Sequence, residues 1–436
     1  MLLTRRALWA ALALALPVVL LPGAFWWWVG LLAALTAADV LLCASPRRIT
    51  VTREPVRPIR LDEHAEAVTV LHNAGRRRLR GYARDGWQPS ARAQQPLHPV
   101  SIDPGEALQI RTRLTPVRRG HLRSEHIAVR SLGPLGIAGR QVTHRVPQTL
   151  RILPPFRSRK HLPSALRRIR ELDGSSAARS LGAGTEFDSL RDYVRGDDVR
   201  SIDWRATARR RAGGADRGEH LVVRTWRPER ERRVILCLDA SRTSAVRIGD
   251  EPRIETSIEA AMLLGTLAVS AGDRTDLTAF HREQVARASS AAAGSFSHHM
   301  AEQLASVQPA LVEADFSQLP ARVAEVSTRH ALVVVLTALD AGAVLEGLLP
   351  VLPTLASQHT VVVASPQDPE LQARLDARQS VSDVYSAAAA ERQLYESAAV
   401  RDELTAVGAE VVEAPPRQLP AALADTYIRL KAEGRL

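Results

Sequence analysis

From Arg233 to the C-terminus, short unbroken apolar runs alternate with helix-length segments, and that alternation leaves few folds open. Residues 234–238, 276–280, 332–336, 360–364 and 410–412 read as strands; 254–270, 296–307, 316–329, 383–407 and 417–432 read as helices. Strands that are apolar on both faces must be covered on both, which favours a parallel sheet between helical layers. Ligands of such sheets bind at the carboxyl ends of the strands. The loop leaving the first strand carries Asp239, Ser241 and Thr243 there. One carboxylate and two hydroxyls at alternate positions can present three oxygens to a hard cation such as Mg2+, with water or a partner's carboxylate completing an octahedral shell. The same residues also suit the capping of the following turn.

The other end of the chain is as constrained. After Arg5-Arg6, residues 7–43 are almost wholly apolar, broken by Pro17, Pro22-Gly23, Thr36 and Asp39. A single helix across about 30 Å of hydrocarbon needs roughly 20 residues, so this run predicts two spans, 5–21 and 24–43, turning at Pro22-Gly23. Trp26-Trp27-Trp28 suits an interfacial aromatic belt. Arg5-Arg6 before the first span and Arg47-Arg48 after the second place both ends, and the rest of the chain, in the cytoplasm. A cleaved signal peptide accounts for the first apolar stretch only, because a second follows at once. Asp39, close to the cytoplasmic end of its span, is expected to snorkel.

Between these ends, residues 49–153 show short alternating or β-branched runs at 49–52, 67–71 and 108–112. Turns at Asn73-Ala74-Gly75, Asp103-Pro104-Gly105 and Gly133-Pro134-Leu135-Gly136 punctuate them. This predicts a small β-sandwich. Its exit is marked by Pro147, Pro154-Pro155 and a basic run from Arg157 to Arg170.

A chain of 436 residues accommodates two or three such domains. Its net charge of +11 is unevenly placed: residues 233–436 hold 17 Arg or Lys against 26 Asp or Glu, and residues 1–232 hold 41 against 21. A basic front behind a membrane anchor points to anionic lipid headgroups. Nucleic acid is disfavoured, because the basic stretches 157–170 and 205–211 lack interleaved aromatics and no known binding module is present. GxxxxGK, HExxH and GxSxG are absent and no nucleophile, base and orienter assemble, so no enzyme is expected. The two cysteines, Cys43 and Cys237, form no disulfide or metal pattern and suit a reducing compartment.

Residues 184–211, GTEFDSLRDYVRGDDVRSIDWRATARRR, interleave carboxylates and arginines with aromatic and aliphatic residues. Two readings apply. One is a salt-bridged linker braced on the α/β domain, with Tyr193 and Trp204 as apolar anchors. The other is a partner surface built from arginine–carboxylate forks, with Glu186, Asp188, Arg191, Tyr193, Asp197, Asp198, Arg200, Asp203 and Trp204 as its elements.

Those residues carry a resemblance. Residues 186–193, Gly196-Asp197-Asp198-Val199-Arg200, Ile202-Asp203-Trp204-Arg205-Ala206-Thr207-Ala208 and Leu221-Val222-Val223-Arg224 resemble the signature of the domain-of-unknown-function (DUF) family fifty-eight. The resemblance implies a multi-domain chain: two transmembrane helices over 1–45, a β-sandwich over 46–153, a basic linker with the signature over 154–232, and a von Willebrand factor A-like (Rossmann-type) α/β domain over 233–436. It implies that Asp239, Ser241 and Thr243 begin a metal-ion-dependent adhesion site for Mg2+. Such a site takes a Thr from a second loop and an Asp from a third. Here no Thr lies between 279 and 327, and Ala338 aligns with the acidic position, leaving Asp315, Ser317 or Asp340 as substitutes. The resemblance also implies a MoxR-type AAA+ ATPase and a transglutaminase-like membrane protein as partners. The expected function is therefore a membrane-anchored, cytoplasm-facing adaptor. The alternative is an envelope organiser that binds anionic lipid or cell-wall machinery through its basic half.

Overall fold

The computed structural model describes residues 2–20, 23, 25–177, 186–194, 202–212, 221–227, 232–291, 295–377 and 379–436. They form two compact units, Met1–Pro155 with Leu304–Ser306, and Phe156–Gln303 with Val307–Leu436.

In the first unit, helices occupy Arg5–Leu20 and Phe25–Leu42, the positions at which the sequence predicts its two apolar helices. The stretch Phe25–Arg48 has mean hydropathy 1.8 and is long and apolar enough to cross a membrane. Asp39 does not snorkel. Its side chain is buried and accepts 2.8 Å hydrogen bonds from the backbone N–H groups of Leu135, Ile137 and Ala138. The Gly133–Gly136 turn presents those donors, and a Cβ built on Gly133 would lie 2.2 Å from Asp39 Oδ1, so glycine is required there. Thr4, ahead of the first helix, grips the same turn through a 2.6 Å bond from its hydroxyl to the Gly136 carbonyl.

The rest of this unit is β-structure. A smaller sheet joins Ile49–Arg53, Ala65–Asn73, Ala107–Leu114 and Ala93–Gln94. A larger one has Ala138–Leu153, Gly120–Leu132, Leu79–Trp87 and Leu97–Ile102 as its principal strands. Burial alternates along Ala65–Asn73, as the two-residue period of a strand requires. Leu71 and Ile110 of the smaller sheet meet Leu79, Ile102 and Ile127 of the larger in one buried cluster. A charge is buried with them. Arg53 of the smaller sheet bonds Asp85 of the larger at 2.7 Å, while Ser124 (2.9 Å) and Trp87 Nε1 (2.8 Å) donate to the same carboxylate.

The second unit is organised around a six-stranded sheet: β1 (Arg233–Asp239), β2 (Arg274–Phe280), β3 (Gln284–Ser289), β4 (Leu332–Leu336), β5 (Thr360–Pro366) and β6 (Glu410–Ala414). Their order is β3-β2-β1-β4-β5-β6. All neighbouring pairs are parallel except β2–β3, an antiparallel edge pair that the sequence reading missed. Only Ala286 and Ala288 of β3 are buried, so the strand lacks the apolar run by which the other strands are recognised. Of the helices, α1 (Arg253–Ser270) and α2 (Val381–Ala406) contribute residues to the site, and α3 (Leu419–Ala432) reaches the other end of the sheet. On one face of the sheet Ile235, Cys237, Val333, Val335, Val361 and Val363 share a buried cluster with Val400 and Leu404 of α2.

Cys237 lies at the centre of this sheet, where burial pushes its thiol up to about 12. At pH 8 the thiolate fraction is then about one part in ten thousand. Native protein is expected to leave Cys237 unlabelled by maleimide over hours, with full labelling only after unfolding. Stoichiometric native labelling at this position would contradict the burial.

The basic run that the sequence reading treated as a linker is largely helix. Leu162–Ala177 buries Ala165 and Ile169, one helical turn apart, and Arg168 pairs with Asp425 of α3. After it, Glu186–Asp192 pairs antiparallel with Val222–Arg227.

Candidate functional site at the carboxyl edge of the sheet

The strand order reverses between β1 and β4, and Asp239 ends β1 at that switch point. Asp239, Ser241 and Thr243 are all buried. Ser241 N donates to Asp239 Oδ1 at 2.8 Å, and Thr243 Oγ1 donates to Oδ2 at 3.0 Å. Ser241 and Thr243 share a hydroxyl–hydroxyl bond of 3.2 Å, and Ser244 Oγ donates to the Asp239 carbonyl at 2.8 Å. The sequence-predicted trio is therefore one cluster.

A fourth member was missed. Thr337, the first residue after β4, donates its hydroxyl to Asp239 Oδ2 at 2.7 Å. The pairing of β4 with β1 places it beside the end of β1, a register that no local pattern announces. The substitutes read from sequence serve elsewhere. Asp340 caps the next helical turn by accepting from Ala343 N at 3.0 Å. Asp315 accepts from Ser317 and Gln318, and the Ser317 hydroxyl bond is the leading reason its pKa lies below the usual carboxylate value.

Arg253 was also missed. It opens α1 and donates from Nη1 to the Thr243 carbonyl at 3.3 Å. It shares a cavity of about 100 Å³ with Asp340, Ser365, Asp368 and Glu413, residues at the carboxyl ends of β4, β5 and β6. Burial lowers its pKa, opposed by Asp340, Asp368, Asp239 and Glu413. Glu413 is raised by burial, against the pull of Arg401, which pairs with it at 3.1 Å, and of Arg253. A larger cleft of about 760 Å³ opens among the Arg157–His161 turn, the Ile248–Glu251 hairpin and Pro415–Gln418.

Mg2+ demands six oxygens in near-ideal octahedral geometry. The donor set around Asp239 falls short: one carboxylate with both oxygens engaged, three hydroxyls, Ala338 at the aligned acidic position, and a guanidinium on the same edge of the sheet. Among the described residues, no group of three His, Cys, Asp or Glu side chains is placed to hold a metal ion.

The signature residues are divided. Glu186, Asp188 and Arg191 lie on the strand Glu186–Asp192, and Tyr193 N donates to the Leu221 carbonyl at 2.7 Å. Asp197, Asp198 and Arg200 lie outside the described residues. Asp203 caps the helix Trp204–Ala212, accepting from Arg205 N and Ala206 N at 3.0 Å. Trp204 is not an apolar anchor: it is 64% exposed, because Ile202, Val222 and Val223 already fill the buried positions of this segment.

The strand order and the Asp-x-Ser-x-Thr loop at the end of β1 give the second unit a von Willebrand A-like design. The family model described as protein of unknown function DUF58 matches residues 189–410, just over half of the chain, and the chain belongs to that family. No curated protein sequence matches it. Among solved structures, the SpRpn10 VWA domain is similar over 45% of this chain and 94% of its own, at 9% identity and TM-score 0.27. The ASH/PapD-like domain 7 of human CEP192 covers 24% of this chain and 85% of its own, at 9% identity and TM-score 0.18. A β-glucosidase from Listeria innocua covers 25% of this chain and 16% of its own, at 12% identity and TM-score 0.16.

Proposed function

We propose that this protein is a membrane-anchored, cytoplasm-facing interaction protein without enzymatic activity, and that its von Willebrand A-like domain receives a protein partner at the loops around Asp239. In this reading the helices Arg5–Leu20 and Phe25–Leu42 form a membrane hairpin, the two sheets of the first unit form a β-sandwich, and the partner is a MoxR-type AAA+ ATPase, with a transglutaminase-like membrane protein as a second associate. The Arg5-Arg6 and Arg47-Arg48 pairs flanking the apolar helices support the orientation.

The observation that carries the reading is the hydrogen-bonded cluster of Asp239, Ser241, Thr243 and Thr337 at the switch point of the sheet. It ties the loops after β1 and β4 into one preorganised edge, and preorganisation lowers the cost of docking a partner. The cluster's own bonds occupy its hydroxyls and carboxylate, which suits a rigid platform better than a reactive centre.

Affinity capture from detergent-solubilised membranes tests this. Wild-type protein is expected to recover an AAA+ ATPase, and Asp239→Asn to weaken capture at least about tenfold, because loosening the preorganised loops raises the cost of docking. Undiminished capture by a folded Asp239→Asn protein would remove this edge from recognition. Binding to anionic vesicles that collapses with added salt, with no protein recovered, would favour the lipid-binding organiser instead.

A further inference from the structure

We propose that the guanidinium of Arg253 is a tethered cation that takes the place of the metal ion at the carboxyl edge of this sheet, so that the site around Asp239 works without a divalent metal. The proposal rests on reading that edge as a functional site, but its test reads metal response and stability rather than partner capture, so the two fail separately.

A metal at this kind of site does two things: it neutralises carboxylates gathered at the strand ends, and it pins neighbouring loops to one point. Arg253 is placed for both. Asp239, Asp340, Asp368 and Glu413 belong to the ends of four successive parallel strands, β1, β4, β5 and β6, or to the loops that follow them. Arg253 lines one small cavity with the last three and bonds the Thr243 carbonyl of the Asp239 loop at 3.3 Å. Its backbone N–H also donates to the Val246 carbonyl at 2.8 Å, which fixes the start of α1 against the same loop. Among the described residues its Nε is buried with no hydrogen-bond partner, and its Nη1 makes the bond to the Asp239 loop.

Arginine suits the role for two reasons. It stays protonated under all physiological conditions, and its planar fork addresses several oxygens at once. A resident guanidinium also disfavours a dication on the same edge by like-charge repulsion. The covalent tether makes the cation permanent. Loop positions then no longer depend on the metal concentration of the compartment.

The test uses the full-length protein in detergent with Mn2+ as probe, read by paramagnetic relaxation of water protons and by thermal unfolding with and without millimolar Mn2+. Wild type is expected to bind no Mn2+ and to melt within about 0.5 °C of its metal-free temperature. Arg253→Ala is expected to melt lower, and to regain about 3 °C or more on adding Mn2+, because its uncompensated carboxylates now attract a free cation. Arg253→Lys, which keeps the charge, is expected to fold and to remain indifferent to Mn2+. Stoichiometric Mn2+ binding by wild type overturns the proposal. So does an Arg253→Ala protein that matches wild type in stability and metal indifference. Should Arg253→Ala fail to fold, the lysine variant decides: folded and metal-indifferent supports a cation role, and unfolded or Mn2+-dependent overturns it.

Discussion

Replacing Asp39 by alanine is expected to loosen the joint between the Phe25–Leu42 helix and the β-structure that follows it, at a cost of about 3–5 kcal/mol. The carboxylate is fully buried and accepts three backbone N–H bonds of 2.8 Å from Leu135, Ile137 and Ala138. Charge-assisted bonds of this kind contribute about 1.5–3 kcal/mol each, and a buried donor left unmade costs about 1–3 kcal/mol. The three do not add in full, because relaxation of the turn and entering water recover part of the loss. Hydrogen exchange is the suitable measurement, since local opening of this turn is separable from global unfolding. Exchange at residues 135, 137 and 138 should accelerate several-hundredfold or more in Asp39→Ala, at about 1.4 kcal/mol per factor of ten, and less in Asp39→Asn, which keeps one acceptor oxygen. Gly133→Ala should reproduce the alanine phenotype from the other side, because its Cβ would meet the same carboxylate. Unchanged protection in all three variants would mean that the joint is held by something else.

The second large effect is expected at the opposite end of the sheet from Asp239. Lys431 on α3 lies 2.9 Å from Asp273, which immediately precedes β2, with side chains 4% and 5% exposed. Lys431 also donates to the Ala271 carbonyl and to Tyr427, whose hydroxyl in turn donates to Asp273. Removing one partner of a buried pair strands the other charge and typically costs about 3–5 kcal/mol. Lys431→Met should therefore lower the stability of the second unit by that amount and release α3 from the sheet, as read by denaturant unfolding and by proteolysis near the C-terminus. A matched double replacement, Lys431→Met with Asp273→Leu, removes both charges and should recover most of the loss. A single variant as stable as wild type would show that water or another cation reaches Asp273.

Much of the second unit was legible in the sequence because its strands are buried on both faces. Residues 332–336 are five consecutive apolar residues, and all five are buried in the sheet. The edge strand β3 was not legible, because Gln284 and Arg287 give it the composition of a solvent-facing loop. The helix Leu162–Ala177 was hidden in a similar way. Its arginines dominate the composition and drew attention from Leu162, Ala165, Leu166, Ile169 and Leu172, which recur at the helical period and include the residues that dock it. At the site, Asp239, Ser241 and Thr243 stood out because they are local to one loop. Thr337 and Arg253 did not, since neither belongs to a motif and each reaches the loop from a different element.

The same division holds for the chain as a whole. Sequence alone determined what depends on near neighbours: two apolar helices at the front, alternating strands in the middle, a buried parallel sheet at the end, and a family signature dense enough to be recognised. Tertiary structure decided what depends on partners distant in sequence. Asp39 could be placed in lipid, in water or in protein until the turn at 133–138 supplied its three donors. The loop at Asp239 could be read as a local trio of oxygens until the folding of β4 and α1 brought a further hydroxyl and a guanidinium beside it. The physical reason is common to both. The energy of a buried charge is set by the few groups within hydrogen-bonding distance, and for these residues those groups come from elsewhere in the chain.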